Sequence, residues 1–369
     1  MRQCLLSNLA NTLCNMGSIC IFILLTGCDN HPEEQAVMQT YQERVANVLD
    51  QPIASPTPQT NFPALPALRE RLQPTTDLRE GLLDILELSE CNLIPLIAKR
   101  NSSLGKVSSP SQILIYEITF YQRLIECIPI LEKNPDTKPE TIARLHHIAH
   151  VKQQEQPKYL WNALYTGQEI NESLALNQAT LPLGVNNEHP IQNALTSWEY
   201  FAQLSQMLKQ QDYSRANQML TDIEKHMEDL YKNPAGTPLL RSLMLLTHYL
   251  NTTADVIEAR LQRRPLCFNE MSNPKADILK TVFTRFYATT IQPYMATVHR
   301  LSEQWFSAHT KIREFVSPPA STRLYDAKVF TRTTDISLWN QYINARNRHT
   351  QAWQRILSQC NLMPNANNR

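Results

Sequence analysis

The stretch Ser109–Cys127, SPSQILIYEITFYQRLIEC, carries both the start signals and the spacing of an amphipathic helix. Ser109 stands three residues before Gln112, which is the spacing of a capping box, and Pro110 takes the first helical position. Apolar side chains then recur at helical spacing, at Ile113, Tyr116, Phe120, Leu124 and Cys127. The stretch therefore predicts one long helix with one buried face.

The scarcity of glycine extends this prediction to the whole chain. The sequence has 7 glycines in 369 residues, far below the usual share of about 7%. Glycine supplies the positive φ angles of hairpins, bulges and phosphate loops, so a β sandwich, a barrel or a dinucleotide-binding fold would be hard to build. Gln, Leu, Ala, Arg and Glu favour helix instead. We predict an all-α, multi-helix bundle, either as two helical subdomains or as one bundle of two layers.

Apolar periodicity and proline place the other helices. They are predicted at 32–50, from Asp77 with a capping box to Glu80, from Thr137, and at 158–165, 169–177, 191–210, 214–232, 238–264, 274–316 (interrupted or kinked at Pro293) and 337–360. Residues 317–332 have no clear helical signal, and LPLGVNNEHP at 181–190 is the clearest internal break. We therefore predict subdomains at 76–180 and 181–369. The stripe of the last helix is interpreted as core, at Trp339, Ile343, Arg346, Trp353, Leu357 and Cys360.

Residues 28–75 are predicted to hold the membrane anchor, one amphipathic helix and a proline-rich connector. Five prolines between residues 51 and 66 exclude helix and favour an extended chain. The connector could be a free stalk, or a strap that lies on the body through Phe62, Leu65 and Leu68.

Residues 1–27 have the features of a secretory signal peptide. The apolar run from Met16 to Leu25 is about half of the ~20 residues that a helix needs to cross a bilayer. The sequence that ends the run, Leu25-Thr26-Gly27-Cys28, resembles the lipobox of bacterial lipoproteins. That resemblance implies cleavage before Cys28 and its acylation, as with palmitate, so the chain would be tethered to a membrane and face the periplasm. The alternative is an uncleaved signal anchor in which Cys28 is incidental.

Asp29, directly after the lipidated position, resembles the signal that keeps lipoproteins of enteric-type bacteria in the inner membrane. We therefore expect the inner rather than the outer membrane.

Four cysteines follow the anchor, at Cys91, Cys127, Cys267 and Cys360. An even number in an oxidising compartment predicts disulfides, and three connectivities are possible. We prefer the local pairing, Cys91 with Cys127 and Cys267 with Cys360. The alternative is four buried free thiols.

The net charge argues against nucleic acid as a partner. One of the 35 basic residues, Arg2, leaves with the signal, so 34 acidic residues balance the rest. This balance gives no electrostatic footprint for nucleic acid, and no motif predicts a cofactor.

The densest polar run between two apolar helices is Lys99–Lys106, KRNSSLGK. A phosphate loop needs a glycine where Arg100 stands, so that interpretation fails. Ser103 and Lys106 have the spacing of penicillin-binding enzymes, but the Lys-Thr-Gly partner is missing. In a purely structural interpretation, Lys99 and Arg100 complement one helix end, and Gly105 makes the turn before the next helix.

The histidines of one helix are the second chemical candidate. His146 and His150 lie four residues apart and could hold a metal, but no third ligand is evident, and we expect no metal site. Glu172-Ser173 resembles the Glu-Ser pair of all-α lytic transglycosylases without the glycine-rich stretch that follows it there.

Several segments together resemble one family. They are the lipobox, Tyr41–Val45, the proline strap, Cys91, Arg100–Val107, Ser109–Gln112, Tyr116-Glu117, Ala345–His349, Trp353 and Cys360. The chain is similar in these to the bacterial lipoproteins of unknown-function family 3080, which has no established activity to carry over. The resemblance draws attention to six residues, namely Arg100, Asn101, Ser102, Gly105, Lys106 and Glu117.

Two functional hypotheses follow. The favoured one is a non-enzymatic lipoprotein that binds an envelope protein or cell-wall component, because the anchoring signals are complete and no catalytic set is. The other is a hydrolase or transferase acting on cell-wall or lipid material. In it, Arg100 and Lys106 would hold an anion and Glu117 would be the general base.

Overall fold

The computed structural model describes residues 32–54, 62–76, 91–185 and 190–363. Within these ranges the chain is helical with irregular connections and has no strand, so the all-α prediction is confirmed. The predicted signal peptide, Cys28, Asp29 and the helix from Asp77 lie outside the described residues.

Fifteen α-helices follow one another along the described ranges. They are α1 (Glu33–Leu49), α2 (Leu68–Arg71), α3 (Ile94–Asn101), α4 (Ser103–Lys106), α5 (Pro110–Leu131), α6 (Pro139–Tyr165), α7 (Gln168–Ser173), α8 (Ile191–Lys209), α9 (Tyr213–Met219), α10 (Ile223–Lys232), α11 (Gly236–Arg263), α12 (Pro274–Val282), α13 (Gln292–Arg313), α14 (Arg323–Val329) and α15 (Leu338–Ser358). Short 3₁₀ turns occupy Leu220–Asp222 and Ala320–Thr322, and a π-helical segment occupies Phe283–Ile291.

Helix α5 begins where its capping residues predict. The Ser109 Oγ accepts a hydrogen bond from the backbone N–H of Gln112 at 3.3 Å, which satisfies one of the free donors of the first turn. The predicted stripe of α5 is buried at Tyr116, Phe120, Leu124 and Cys127. The stripe of α15 is likewise core at both of its tryptophans, as predicted.

Helix α6 corrects one prediction, because it runs unbroken through Pro157 where a separate helix at 158–165 was expected. A proline inside a helix removes one backbone donor, at a cost of ~3 kcal/mol. Beyond Pro157 the helix buries Tyr159, Leu160, Trp161 and Leu164, and burying each such side chain contributes about 1.5–3 kcal/mol. Packing of this face therefore outweighs the local break.

Other differences are smaller. Two predicted helices start or end differently: the one expected from Thr137 begins at Pro139, and the one expected at 169–177 is α7. The helix expected at 214–232 is two helices joined at the 3₁₀ turn, and the Tyr200 hydroxyl donates to the Met219 carbonyl directly before that turn. The expected interruption near Pro293 is the π-helical segment directly before it.

Helix α14 lies in 317–332, where the sequence has no helical signal, so that expectation was wrong. Tertiary contacts explain the helix, because its Asp326 is buried against Arg313 of α13 and its Val329 is fully buried.

The core is organised around α11, which packs against α15, α1 and α13, and around two further pairs, α5 with α6 and α8 with α13. Helices from both sides of the break at 181–190 are in contact, as α5 with α9 and α7 with α10. The described residues, all from Pro32 onward, belong to one compact unit. The boundary proposed between residues 180 and 181 stays a prediction.

Residues 62–76 form a strap on the body, which is one of the two forms that the sequence allowed. Phe62 is buried and Leu65 is partly buried against the core, whereas Leu68 is exposed. The buried Arg71 fixes the strap by donating to the carbonyl of Tyr165 at 2.5 Å and to the Asn171 side chain at 2.8 Å.

The four cysteines pair locally, as the sequence favours. Cys91 lies beside Cys127 with a Cα–Cα distance of 5.4 Å, and Cys267 beside Cys360 with 5.2 Å, each in a disulfide. The first disulfide joins the residues that lead into α3 to helix α5. The second joins the α11–α12 loop to the end of α15.

Two histidines are fully buried among aromatic rings. The Tyr165 hydroxyl lies 2.8 Å from His309 Nδ1, and the Tyr41 hydroxyl lies 2.8 Å from His349 Nε2. Burial lowers the pKa of His349 to about 3 and holds the pKa of His309 well below its usual value. Both imidazoles are therefore neutral in the folded protein at neutral pH.

Candidate functional site

The loop Arg100–Val107 is built by side chains that bond back to its own backbone. Ser102 Oγ donates to the Lys99 carbonyl at 2.7 Å and accepts from the Gly105 N–H at 3.1 Å. The Arg100 guanidinium donates to the Gly105 carbonyl. Two residues that the sequence singled out, Arg100 and Ser102, thus stabilise the turn between α3 and α4.

Residue 105 must be a glycine because backbone atoms of the preceding helix lie very close to its Cα. A Cβ atom at this position would lie 2.3 Å from the carbonyl oxygens of both Lys99 and Arg100. Backbone atoms at that distance cannot give way without moving the turn.

We expect Gly105→Ala to lower the free energy of unfolding by about 1–3 kcal/mol, because the added methyl group overpacks the turn. Urea unfolding measures the change. Ser103→Ala is the matched control, since Ser103 is exposed in the same turn and should change stability by less than about 0.5 kcal/mol. Equal effects of the two substitutions would contradict the close-approach argument.

The turn exposes two apolar side chains. Leu104 is 81% exposed and Val107 is 79% exposed, with the exposed Lys106 between them. Such side chains gain free energy when another surface covers them. We call Leu104, Lys106 and Val107 the exposed knob.

Behind the turn lies a cavity of about 320 Å³. Strap residues 72–76 lie on one side, Arg100 of α3 and Glu117 of α5 line it, and Lys152 and Tyr159 come from α6. The strap is fixed there by reciprocal hydrogen bonds between the Gln73 backbone and the Asn162 side chain, both at 2.9 Å. Glu155 also accepts from the Thr76 N–H at 2.9 Å.

A buried ion pair forms part of the cavity lining. Lys152 Nζ lies 2.5 Å from Glu117 Oε2, and the two side chains are 3% and 8% exposed. The ammonium also lies 5.5 Å from the ring centroid of Phe120 and 5.8 Å from that of Tyr116, where the ring faces favour a cation. Breaking such a pair by removing one partner typically costs about 3–5 kcal/mol.

Burial and charge act on Glu117 in opposite directions. Burial raises the pKa of Glu117, and the positive charges of Lys152 and Arg100 partly offset this rise. The Tyr159 hydroxyl donates to the same carboxylate, and burial together with that negative charge raises the pKa of Tyr159. Tyr159 is therefore a neutral hydrogen-bonding group at the cavity.

The structure brings together only part of the predicted site. Arg100 and Glu117 line the same cavity, but Lys106, Asn101 and Ser102 are not among the residues lining it. The proposed pair of Arg100 and Lys106 around one anion is therefore not assembled.

Lys152 and Tyr159 were missed by sequence reasoning. Lys152 stands seven residues after Leu145 and four after Ile148, both buried on the same face of α6. A lysine on an apolar stripe is the signal that could have found it.

A second concave region runs along α8 toward α13, in two adjoining parts of about 670 and 730 Å³. Among the described residues its lining has three cations and three carboxylates, and two pairs form across it, Lys311 with Glu199 at 2.7 Å and Arg332 with Glu303 at 3.4 Å. This groove therefore offers a ligand less uncompensated charge than the cavity does.

The histidines of α6 are engaged elsewhere. His146 bonds Glu132 and His150 bonds Gln154, each at 2.9 Å. Among the described residues, no three His, Cys, Asp or Glu side chains are grouped as metal ligands would be.

A family-wide sequence profile matches residues 38–364, which include the strap, the knob, the cavity and both disulfides. The profile is that of the family described as "Protein of unknown function (DUF3080)". The chain belongs to this family. The resemblance to unknown-function family 3080 is thus confirmed, and membership brings no activity with it.

Two further comparisons add no relative. No curated protein and no solved structure matches the chain. Within the ranges that the structure describes, no helix is both long enough and apolar enough to cross a bilayer.

Proposed function

We propose that this protein is a periplasm-facing lipoprotein of the bacterial envelope that acts by binding, without catalysis. It would be held through lipidated Cys28 in the inner membrane, as Asp29 suggests. The lipobox-like sequence at 25–28 supports this cellular location. The two disulfides agree with it, because stable disulfides are typical of exported proteins.

The observation that carries the binding role is the exposed knob. The turn holds Leu104 and Val107 in solvent through three hydrogen bonds of its own. A turn fixed before binding loses little conformational entropy on docking. Apolar side chains favour a protein with an apolar pocket over a cell-wall glycan, whose surface is largely hydroxyl and amide groups. We therefore propose an envelope protein as the partner.

The catalytic alternative, a hydrolase or transferase, is not proposed. It requires Arg100, Lys106 and Glu117 around one substrate, and Lys106 lies in the exposed knob rather than at the cavity.

In-cell photocrosslinking tests the proposal. A benzophenone amino acid replaces Leu104 in the anchored full-length protein, and the matched control replaces Leu324, which is 75% exposed on α14. We expect a discrete crosslinked protein band from position 104 and none from position 324. Equal bands from both positions, or none from position 104, would contradict the knob as a docking surface.

A further inference from the structure

The cavity behind the knob holds more positive than negative charge. Among the described residues, its lining contains two cations, Arg100 and Lys152, and one carboxylate, Glu117. The carboxylate is engaged with Lys152, so one positive charge is left without a partner in the lining. Since Arg100 is half-buried and Lys152 is buried, electrostatic attraction in the cavity is stronger than in bulk water, and an anion entering it would balance this excess positive charge.

Lys152 also has hydrogen-bonding capacity left. An ammonium group has three donors, and within the described ranges the Lys152 Nζ donates to Glu117 alone. Its remaining surroundings include the rings of Tyr116, Phe120 and Tyr159, which attract a cation without accepting a conventional hydrogen bond.

Arg100, which also lines the cavity, adds a second group with more N–H donors than its one hydrogen bond to Gly105 uses. Its guanidinium donates to the Gly105 carbonyl, but its Nε is buried and has no hydrogen-bond partner within the described ranges. Buried donors of charged groups are rarely left unpaired in native proteins.

We propose that this cavity binds a small ligand carrying one carboxylate, which accepts hydrogen bonds from Lys152 and from Arg100. A single negative charge matches the one uncompensated positive charge, whereas a doubly charged phosphate would exceed it. The polar Thr75 and Asn162 and the apolar Ile113 also line the space, so the body of the ligand has both polar and apolar parts. This proposal goes beyond the docking knob and does not depend on it.

Titration of the purified full-length protein with matched probes tests the proposal. The probes are N-acetylalanine, its uncharged amide and inorganic phosphate, with binding measured by calorimetry at pH 7. We expect the acid to bind at least tenfold more tightly than the amide or phosphate. Equal affinity for the acid and the amide, or no binding of the acid, would overturn the proposal.

Variants of Glu117 and Lys152 test whether the ligand binds beside this buried ion pair. Glu117→Gln leaves two positive charges in the lining, so affinity for N-acetylalanine should rise several-fold. Glu117→Gln combined with Lys152→Met keeps the net charge of the lining but removes the hydrogen-bond donors of Lys152, so affinity should fall at least tenfold. Lys133→Met is the control, because Lys133 is exposed and lies outside both the cavity lining and the knob, and it should change nothing. If the double variant does not fold, the single variant Glu117→Gln tests the proposal, because a loss of affinity in the single variant contradicts the charge argument. Unchanged affinity in a folded double variant would equally overturn it.

Discussion

Lowering the pH from 7 to 5 should cost the folded protein about 2 kcal/mol through His349, and His309 should add a further loss in the same direction. Both are neutral and buried in the fold, where their pKa values are depressed, to about 3 for His349. In the unfolded chain each takes up a proton near pH 6.5. Their contribution to stability is therefore fully present above that pH and is lost as the pH falls toward the folded-state pKa.

Urea unfolding at pH 7 and pH 5 measures this loss. His349→Gln should reduce the difference between the two pH values by about 2 kcal/mol, whatever it does to stability at pH 7. His147→Gln is the matched control, because His147 is exposed on α6, and it should leave the difference unchanged. A difference that is the same in His349→Gln as in the unsubstituted protein would contradict the neutral, buried state of this histidine.

Removing the Cys267–Cys360 disulfide with Cys267→Ala and Cys360→Ala should lower the free energy of unfolding by about 5 kcal/mol. The two cysteines are 93 residues apart, so the bridge restricts a long loop of the unfolded chain. A typical domain has only about 5–15 kcal/mol of stability in total. The loss would therefore lower the denaturation midpoint strongly.

The other disulfide is the internal comparison. Cys91 and Cys127 are 36 residues apart, so Cys91→Ala with Cys127→Ala should cost about 4 kcal/mol under the same non-reducing conditions. A Cys91 peptide linked to Cys360 in a non-reducing peptide map would overturn the pairing itself. A loss below about 1 kcal/mol for the Cys267 and Cys360 variant would contradict the role of its long loop.

Much of the fold could be predicted because its signals are local. Helix α5 has a capping serine, a proline at its first position and a regular apolar stripe, and all three act within one segment. Helix α14 has no such signal, because its stability depends on the contact of Asp326 with Arg313, which lies in another helix. The continuity of α6 through Pro157 likewise depends on packing against distant residues.

The candidate site likewise has residues with a local sequence signal and residues that are placed only by contacts with distant parts of the chain. Arg100 and Glu117 could be selected together because they stand in one polar stretch and the helix that follows it. The strap could not be placed, since the hydrogen bonds of Gln73 reach Asn162 across 89 residues. Lys152 was visible only as a charge on an apolar stripe, and its partner Glu117 lies 35 residues away.

The central claim is that this is a binding protein held in the envelope by a lipid anchor. A mass spectrum of the first peptide of the mature protein tests it most directly. We predict a peptide that begins at Cys28 and carries diacylglycerol and an additional acyl chain, and we predict that Cys28→Ala releases the protein from the membrane fraction. An unmodified peptide that begins at Met1 or at any residue other than Cys28 would contradict the claim.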